Sequence, residues 1–322
     1  MMSILIKYFT LSLCLAVTVH GQHTPGINYI SPKQTLVVGD QLELTCAVDY
    51  AEEYPVQWVK YDNLESNESL PLSYNSSLIV KDFRFSIRYD PSSSAYYLSI
   101  KDVEESDAGW YQCRVLKADN DFIKAEVELL VHRHPAFLNN TTRSLVTVVG
   151  NSAQLECYAS GIPTPNIYWR RENNAPLPTG ASRFSGNILK FESIKKEDSG
   201  TYYCVAENGV GREIRRALDL QVEFAPIVSA IEPRVNQSLN ASVYLSCEVQ
   251  AYPPPAITWF KEDVQLPFNQ RYRISNFANS DDTVVTSLHL ERVEKADYGN
   301  YSCKATNKLG AAEDVLELYQ KE

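Results

Sequence analysis

One spacing of residues occurs three times in this chain of 322 residues. Each copy has a cysteine, a tryptophan twelve positions later, and then the run Asp-x-Gly-x-Tyr-x-Cys. The copies are Cys46, Trp58 and residues 107–113; Cys157, Trp169 and residues 198–204; and Cys247, Trp259 and residues 297–303. Because each copy occupies about 100 residues, the sequence predicts three domains of the same kind.

The pattern resembles that of the immunoglobulin superfamily in all three copies. In that fold two β-sheets pack face to face, a disulfide joins strands B and F, and a tryptophan on strand C packs against it. The resemblance implies an all-β chain of three tandem immunoglobulin-like β-sandwiches. It also implies that the hydroxyl of the last tyrosine bonds to the backbone upstream. The implied disulfides are Cys46–Cys113, Cys157–Cys204 and Cys247–Cys303.

Residues 1–21 have the features of a secretory signal peptide. A lysine precedes an apolar stretch at residues 8–19, and we expect cleavage between Gly21 and Gln22. Cys14 would leave with this segment. The apolar stretch is shorter than the roughly 20 residues that span a bilayer. We therefore expect the mature chain to be secreted or to lie on the extracellular face of the plasma membrane.

The remaining cysteines and the sequons agree with that location. Six cysteines remain after the expected cleavage, and the implied disulfides use all of them. Seven Asn-x-Ser/Thr sequons are candidate N-glycosylation sites: Asn67, Asn75, Asn139, Asn140, Asn236, Asn240 and Asn300. The sequons of Asn139 and Asn140 overlap, so steric crowding opposes the occupancy of both.

The charge and the motif content exclude several classes of function. The net charge of −10 argues against nucleic acid and against an anionic membrane surface as partners. No phosphate loop, nucleophile elbow or His-Glu-x-x-His motif is present. His132 and His134 lie two residues apart without a third ligand. We therefore expect no catalytic residues, no metal and no cofactor, and no enzymatic activity.

The domain limits follow from the repeats. We expect domain 1 at residues 27–132, domain 2 at 135–223 and domain 3 at 225–319. The longer cysteine spacing of domain 1 leaves room for strands C′ and C″ at residues 70–74 and 77–80, as in a variable-type domain. The other two domains have the shorter spacing of I-set or C2 domains. Short linkers that contain proline predict an extended rod.

Arg84 is expected to open strand D of domain 1, where it is placed to pair with Asp107. The alternative is an arginine that is solvated at the surface.

Longer runs narrow the resemblance. Residues 84–90, 169–178, 195–204 and 251–256 are similar to the lachesin and amalgam family, within the IgLON-like neural cell adhesion proteins. The resemblance covers residues 27–319 and implies a role in neural or epithelial cell contacts. Lachesin-like members bind homophilically, whereas amalgam-like members are soluble and bridge a membrane receptor.

The C-terminus departs from the lachesin pattern. Lachesin-like chains carry a hydrophobic tail that directs a lipid anchor, and residues 316–322 contain no such tail. Two explanations stay open: the protein is soluble, or the sequence stops before the natural C-terminus. Membrane attachment would then need a partner or an anchor that this chain does not encode.

Strand alternation predicts a binding face on domain 1. If Trp58, Tyr111 and Cys113 point into the core, their neighbours on strands C and F point out. Exposed aromatic and apolar residues beside an arginine are typical of protein interfaces. The predicted protein-binding residues on the G-F-C sheet are Val59, Tyr61, Trp110, Gln112, Arg114, Leu116 and Phe122. The alternative is that Trp110 packs on the E–F corner and Phe122 on the F–G loop.

These observations favour an extracellular cell-adhesion or recognition glycoprotein. Its partner is either a second copy, in a homophilic dimer, or a heterophilic cell-surface receptor. Domains 2 and 3 are expected to lack a comparable set of outward aromatic residues and to act as spacers. The alternative function is a soluble immune-recognition protein that binds microbial surfaces, which binding to lipopolysaccharide or bacteria would favour.

Overall fold

The computed structural model describes residues 23–63, 65, 68–117 and 121–320. The expected signal peptide with Cys14, and the sequon at Asn67, lie outside these residues. The described chain consists of β-strands and of single 3₁₀ turns at Glu105–Asp107, Glu172–Asn174, Lys196–Asp198 and Lys295–Asp297. None of these helical turns is long and apolar enough to cross a membrane.

Domain 1 is a sandwich of two sheets. One sheet has the strand order A-B-E-D, and the other has the order G-F-C-C′-C″, with A′ paired to G. The strands are β1 Gly26–Ile30 (A), β2 Gln34–Val37 (A′), β3 Leu42–Asp49 (B), β4 Val56–Tyr61 (C), β5 Leu70–Tyr74 (C′), β6 Ser77–Leu78 (C″), β7 Phe85–Asp90 (D), β8 Ala95–Ile100 (E), β9 Gly109–Leu116 (F) and β10 Phe122–Phe137 (G). The presence of C′ and C″ makes this domain variable-like.

A second compact unit begins at His134, within strand β10, and contains residues 134–137 of that strand together with domains 2 and 3. The strands of domain 2 are β11 Ser144–Val148 (A′), β12 Ala153–Glu156 and β13 Ala159–Ile162 (B), β14 Asn166–Arg171 (C), β15 Phe184–Ser185 (C′), β16 Ile188–Phe191 (E) and β17 Gly200–Glu207 (F). The strand β18 Ile214–Ala230 is strand G of domain 2 and continues as strand A of domain 3.

The remaining strands complete domain 3. They are β19 Arg234–Asn236 (A′), β20 Val243–Tyr252 (B), β21 Ala256–Lys261 (C), β22 Val264–Gln265 (C′), β23 Tyr272–Ala278 (D), β24 Thr283–Leu290 (E), β25 Gly299–Asn307 (F) and β26 Gly310–Tyr319 (G). The three tandem immunoglobulin-like sandwiches predicted from the repeats are therefore present.

The repeated residues form the core of each sandwich. The three predicted disulfides are present, and Trp58, Trp169 and Trp259 are each fully buried in the cluster of their own domain. The indole Nε1 of Trp169 donates to Gly186 O at 2.9 Å, and that of Trp259 donates to Thr286 Oγ1 at 2.9 Å. Each tryptophan therefore fills the space beside its disulfide, as the repeats predict.

The tyrosine of each repeat closes the E–F corner. The hydroxyl of Tyr111 donates to Asp107 O at 2.8 Å, and the same bond in domain 2 is 2.9 Å long. The corresponding bond in domain 3 is 2.8 Å long. The upstream backbone bond predicted for this tyrosine is thus confirmed in all three domains.

An ion pair adds to this corner in domain 1. The Arg84 guanidinium, which precedes strand D, donates to Asp107 Oδ2 at 2.6 Å and to Oδ1 at 3.1 Å. Asp107 also accepts the backbone N–H of Glu104 at 2.8 Å. In domain 3, Arg271 pairs with Asp297 at 2.8 Å. Among the described residues of domain 2, Asp198 has no arginine or lysine within ion-pair distance.

Burial of the corner tyrosine in domain 2 has a consequence at high pH. Desolvation raises the pKa of Tyr202 from its ordinary value of 10 to about 12. A phenol with a raised pKa stabilises the folded state fully below pH 10, and this contribution is lost as the pH rises towards 12. We expect the absorbance difference at about 295 nm between the wild type and Tyr202→Phe to titrate near pH 12. A midpoint near pH 10 would show that the phenol is solvated.

Domains 2 and 3 are joined without a free linker. Strand β18 pairs with strand A′ of domain 2 as far as Glu223, and Phe224 already pairs with strand B of domain 3. Lys308 Nζ lies 2.7 Å from Glu223 Oε1, and the Asn307 amide donates to Phe224 O at 2.9 Å. The F–G turn of domain 3 therefore contacts Glu223 and Phe224, the residues at which strand β18 leaves domain 2 and enters domain 3.

Candidate protein-binding surface

The G-F-C-C′ sheet of domain 1 brings the predicted binding residues onto one face. Cross-strand pairs in an antiparallel sheet point to the same side. The pairs on this side are Tyr61 with Trp110, Val59 with Gln112, Gln112 with Glu126, Arg114 with Lys124, and Leu116 with Phe122. We call this side, formed by strands C′, C, F and G, the domain 1 outer face.

Arg114 is at the centre of the domain 1 outer face. Its Nε donates to Gln112 Oε1 at 2.5 Å, and its Nη2 donates to the hydroxyl of Tyr61. The guanidinium also lies 4.7 Å from the ring centroid of Phe122 and 5.6 Å from that of Tyr61. These contacts hold two aromatic side chains in fixed positions before any partner arrives.

Two predicted binding residues are not exposed. Val59 keeps 1% of its surface exposed and Gln112 keeps 3%. Both point to the outer face, but each has a neighbour on both adjacent strands, and Gln112 bonds to Arg114 and to Glu126 Oε1, the latter at 2.7 Å. Neither side chain is therefore accessible in the free chain, where both support the residues around them, and direct contact of either with a partner stays a prediction.

The other predicted residues keep part of their surface accessible. Phe122 is exposed at 37%, and four more are half-buried: Tyr61, Trp110, Arg114 and Leu116. Trp110 pairs across strands with Tyr61 and with Glu128. The accessible residues therefore form an aromatic rim with an arginine at its centre.

Strand C′ adds residues that the sequence did not predict. Gln57 pairs with Tyr74, and Val59 pairs with Pro71, so Pro71 and Tyr74 lie on the outer face although they are three positions apart. A bulge at Leu72, which is fully buried, causes this spacing. Tyr74 is exposed at 41% and extends the aromatic rim. No sequence signal marks the bulge, so simple alternation misses both residues.

The carboxylates of the domain 1 outer face already have partners. Lys124 Nζ lies 3.0 Å from Glu126 Oε1, and Lys33 Nζ lies 2.6 Å from Glu128 Oε2. The chain as a whole carries a net charge of −10. The face is therefore close to neutral on a protein that is otherwise acidic.

The candidate glycosylation sites differ in their surroundings. The exposed asparagines are Asn139, Asn140, Asn236, Asn240 and Asn300. Asn75 is half-buried in the C′–C″ turn, and its Oδ1 accepts the N–H of Val56 at 2.8 Å. Asn240 Oδ1 accepts a bond of 2.8 Å from Arg292 Nε. In both cases the bond uses the oxygen and leaves the amide nitrogen for a glycan, so occupancy remains a prediction at these sites.

Comparison with known protein families assigns each sandwich. The immunoglobulin V-set domain matches residues 30–132, a further immunoglobulin domain family matches residues 135–208, and the immunoglobulin I-set domain matches residues 226–319. The V-set match agrees with the C′ and C″ strands of domain 1.

Two insect proteins are similar to nearly the whole chain. Lachesin of Schistocerca americana is 49% identical over 98% of this chain and 90% of its own length. Protein amalgam of Drosophila melanogaster is 33% identical over 96% of this chain and 95% of its own length.

A solved complex has a similar fold. The crystal structure of Dpr2 Ig1-Ig2 in complex with DIP-Theta Ig1-Ig3 contains a chain that matches with a TM-score of 0.78 and 29% identity. The match covers 93% of this chain and 100% of that one. That structure is a complex between two immunoglobulin-domain proteins.

Proposed function

Since this chain belongs to the lachesin family of immunoglobulin-domain proteins, we propose that it is an extracellular cell-adhesion protein that binds through the domain 1 outer face. Binding in cis or in trans at neural or epithelial cell contacts is part of the proposal, and catalysis is not. The three disulfides require an oxidising compartment, which supports secretion or display at the cell surface.

The choice of the domain 1 outer face as the binding surface rests on one observation. The outer face presents Phe122 and Tyr74, both more than a third exposed, on either side of the half-buried Arg114. Aromatic residues and arginine dominate the energetics of protein interfaces, above all where they are held in place before binding. The contacts of Arg114 with Tyr61 and Phe122 provide such preorganisation.

The partner that fits this face is another immunoglobulin domain. The Dpr2 and DIP-Theta complex pairs two immunoglobulin-domain proteins, one of which has the fold of this chain. A β-sheet face with an aromatic rim is flat enough to pack against a second face of the same kind. This supports a protein partner of the same superfamily.

We take a second copy of this chain as the first partner to test. The two glutamates of the domain 1 outer face are paired with lysines, Glu126 with Lys124 and Glu128 with Lys33 beside the face, and Arg114 and Lys124 balance the glutamates to a small net charge. Such a face neither attracts an oppositely charged receptor nor repels its own copy strongly. A two-fold symmetric dimer also needs only one self-complementary surface.

Sedimentation equilibrium of the secreted chain tests this proposal. We expect reversible dimerisation at micromolar concentration, and Phe122→Asp should weaken it at least about 30-fold, which corresponds to about 2 kcal/mol. A carboxylate buried in the interface at this position would lose its hydration without gaining a partner.

Phe277→Asp is the matched control. Phe277 is an exposed aromatic residue on strand D of domain 3, at 70% exposure, and the same substitution there should leave dimerisation unchanged. Equal dimerisation of the Phe122→Asp variant and the wild type would refute the role of this face. A wild-type chain that stays monomeric at every concentration would refute homophilic binding and direct the search to a heterophilic receptor.

A further inference from the structure

The outer face of the C-F-G sheet in domain 2 carries aromatic and basic residues that the sequence did not predict. Arg170 pairs with Tyr203 across strands C and F, and Val205 lies between Tyr168 and Arg215. Domain 2 therefore has outward tyrosines, but Tyr168 keeps only 8% of its surface exposed, so the set is not comparable to the aromatic set of domain 1. We call this set the domain 2 arginine face, formed by Tyr168, Arg170, Arg183, Tyr203 and Arg215.

Two arginines of this face have no acidic partner. The guanidinium groups of Arg170 and Arg215 lie 5.6 and 5.7 Å from the ring centroid of Tyr203. Within the described residues, no carboxylate lies within 4.0 Å of either guanidinium, and the buried Nε of Arg170 has no acceptor. Two positive charges without a carboxylate partner therefore lie next to the same ring, that of Tyr203.

Of the three acidic residues at the edges of this face, Glu207 is paired with an arginine, whereas Glu213 and Asp219 accept hydrogen bonds from neutral groups and keep their negative charge. Glu207 lies 3.1 Å from Arg183, and Glu213 accepts the hydroxyl of Tyr168 at 2.8 Å. At the other end, Asp219 accepts a bond of 3.0 Å from Gln221. The screening length at physiological salt is about 8 Å, so the more distant acidic residues of the chain have little effect on an anion at Arg170 and Arg215.

The domain 2 arginine face lacks the apolar anchors of a protein interface. Val205 is fully buried and Tyr168 is only 8% exposed, because neighbouring side chains cover both. A protein partner normally fills the centre of an interface with apolar or aromatic side chains. A ligand that matches this face is instead hydrophilic, anionic and rich in hydrogen-bond acceptors.

We propose that the domain 2 arginine face binds a sulfated polysaccharide of the extracellular glycosaminoglycan type. Planar guanidinium groups bind oxyanions with two parallel hydrogen bonds, and the sulfate group offers the required oxygens. No sequon lies on strands C, F or G of domain 2, so no N-linked glycan is attached to the face itself. This ligand would tether the protein to the pericellular matrix independently of the domain 1 outer face.

Heparin, a commercially purified sulfated glycosaminoglycan, is the probe for this proposal. We expect the full secreted chain to bind immobilised heparin at about 0.15 M salt and to bind N- and O-desulfated heparin at least tenfold more weakly. The Arg170→Ala/Arg215→Ala variant should bind heparin at least tenfold more weakly than the wild type, because both unpaired guanidinium groups are gone.

Arg143→Ala/Lys190→Ala is the matched control, since it removes two exposed positive charges from other parts of domain 2 and should change heparin affinity less than twofold. Arg215→Ala alone, at an exposed position, should weaken binding about threefold or more without disturbing the fold. Dimerisation should be the same in all these variants, which separates this proposal from the one for domain 1.

Several results would overturn the inference. A wild-type chain without affinity for heparin, or an arginine variant that binds heparin as the wild type does, would exclude the polysaccharide site. Binding of polyglutamate as strong as that of heparin would indicate an acidic protein partner instead. Preferential binding of lipopolysaccharide over heparin would point to a microbial ligand and to the immune-recognition function.

Discussion

Substitution of Asp107 by alanine is expected to destabilise domain 1 by about 3 kcal/mol or more. The carboxylate of Asp107 accepts two hydrogen bonds from Arg84, and the side chain of Arg84 is only 11% exposed. Removing one partner of a buried ion pair leaves the other charge without compensation, which typically costs about 3–5 kcal/mol. Asp82, 2.8 Å from Arg84, offsets part of this cost.

The three repeats supply their own controls for this substitution. Asp297→Ala in domain 3 should cost less, about 1–2 kcal/mol, because its partner Arg271 is 42% exposed and can regain water. Asp198→Ala in domain 2 should cost about 1 kcal/mol, since the carboxylate of Asp198 accepts only the N–H of Lys195 among its described contacts.

Hydrogen exchange followed by mass spectrometry measures the stability of each domain separately within the intact chain. Amides of strand F, Gly109–Leu116 in domain 1, report the local free energy of opening. The expected order of destabilisation is Asp107, then Asp297, then Asp198. An equal loss of protection in all three domains would mean that the ion pairs of Arg84 and Arg271 do not stabilise the E–F corner.

Gly109→Ala is expected to destabilise domain 1 by about 3 kcal/mol or more. Gly109 has a φ of +140°, which L side chains rarely adopt, and a Cβ there would lie 2.5 Å from Tyr61 O. That oxygen belongs to the backbone of strand C, so strands C and F would have to separate. The strained φ alone costs about 1–3 kcal/mol, and the clash adds to it.

Gly200→Ala in domain 2 measures the cost of the strained φ without the cost of a steric clash. Gly200 has the same place in its repeat and a φ of +128°, but the nearest atom to an added methyl group is the flexible Arg171 Nη2 at 3.6 Å. We expect about 1–2 kcal/mol for this variant. Thermal unfolding and hydrogen exchange of both variants test the difference, and equal destabilisation would contradict the role of Tyr61 O.

The core of each sandwich could be predicted from the sequence because its residues are few and chemically distinctive. A cysteine pair, a tryptophan at a fixed spacing and the Asp-x-Gly-x-Tyr-x-Cys run each have one function in the fold. The pairing of Arg84 with Asp107 is also predicted from the sequence and is confirmed. Arg271, which plays the same part in domain 3, was missed because its spacing to Asp297 differs.

The surface was harder to predict because alternation gives the direction of a side chain and not its exposure. Val59 and Gln112 point outward as expected, yet neighbouring strands cover them. The bulge at Leu72 shifts the register of strand C′. A strict two-residue alternation of side chains therefore does not place Tyr74 on the outer face. In domain 2, the basic cluster around Tyr203 comes from residues on three strands, which no local pattern in the sequence connects.

The strand Ile214–Ala230 has a mechanical consequence for an adhesion protein. Glu223 still pairs with domain 2 and Phe224 already pairs with domain 3, so no stretch of free chain separates the two sandwiches. Tension between two adhering cells would pass from one sandwich to the next through this single strand. Stretching at this joint therefore cannot be absorbed by an uncoiling linker and must break sheet hydrogen bonds.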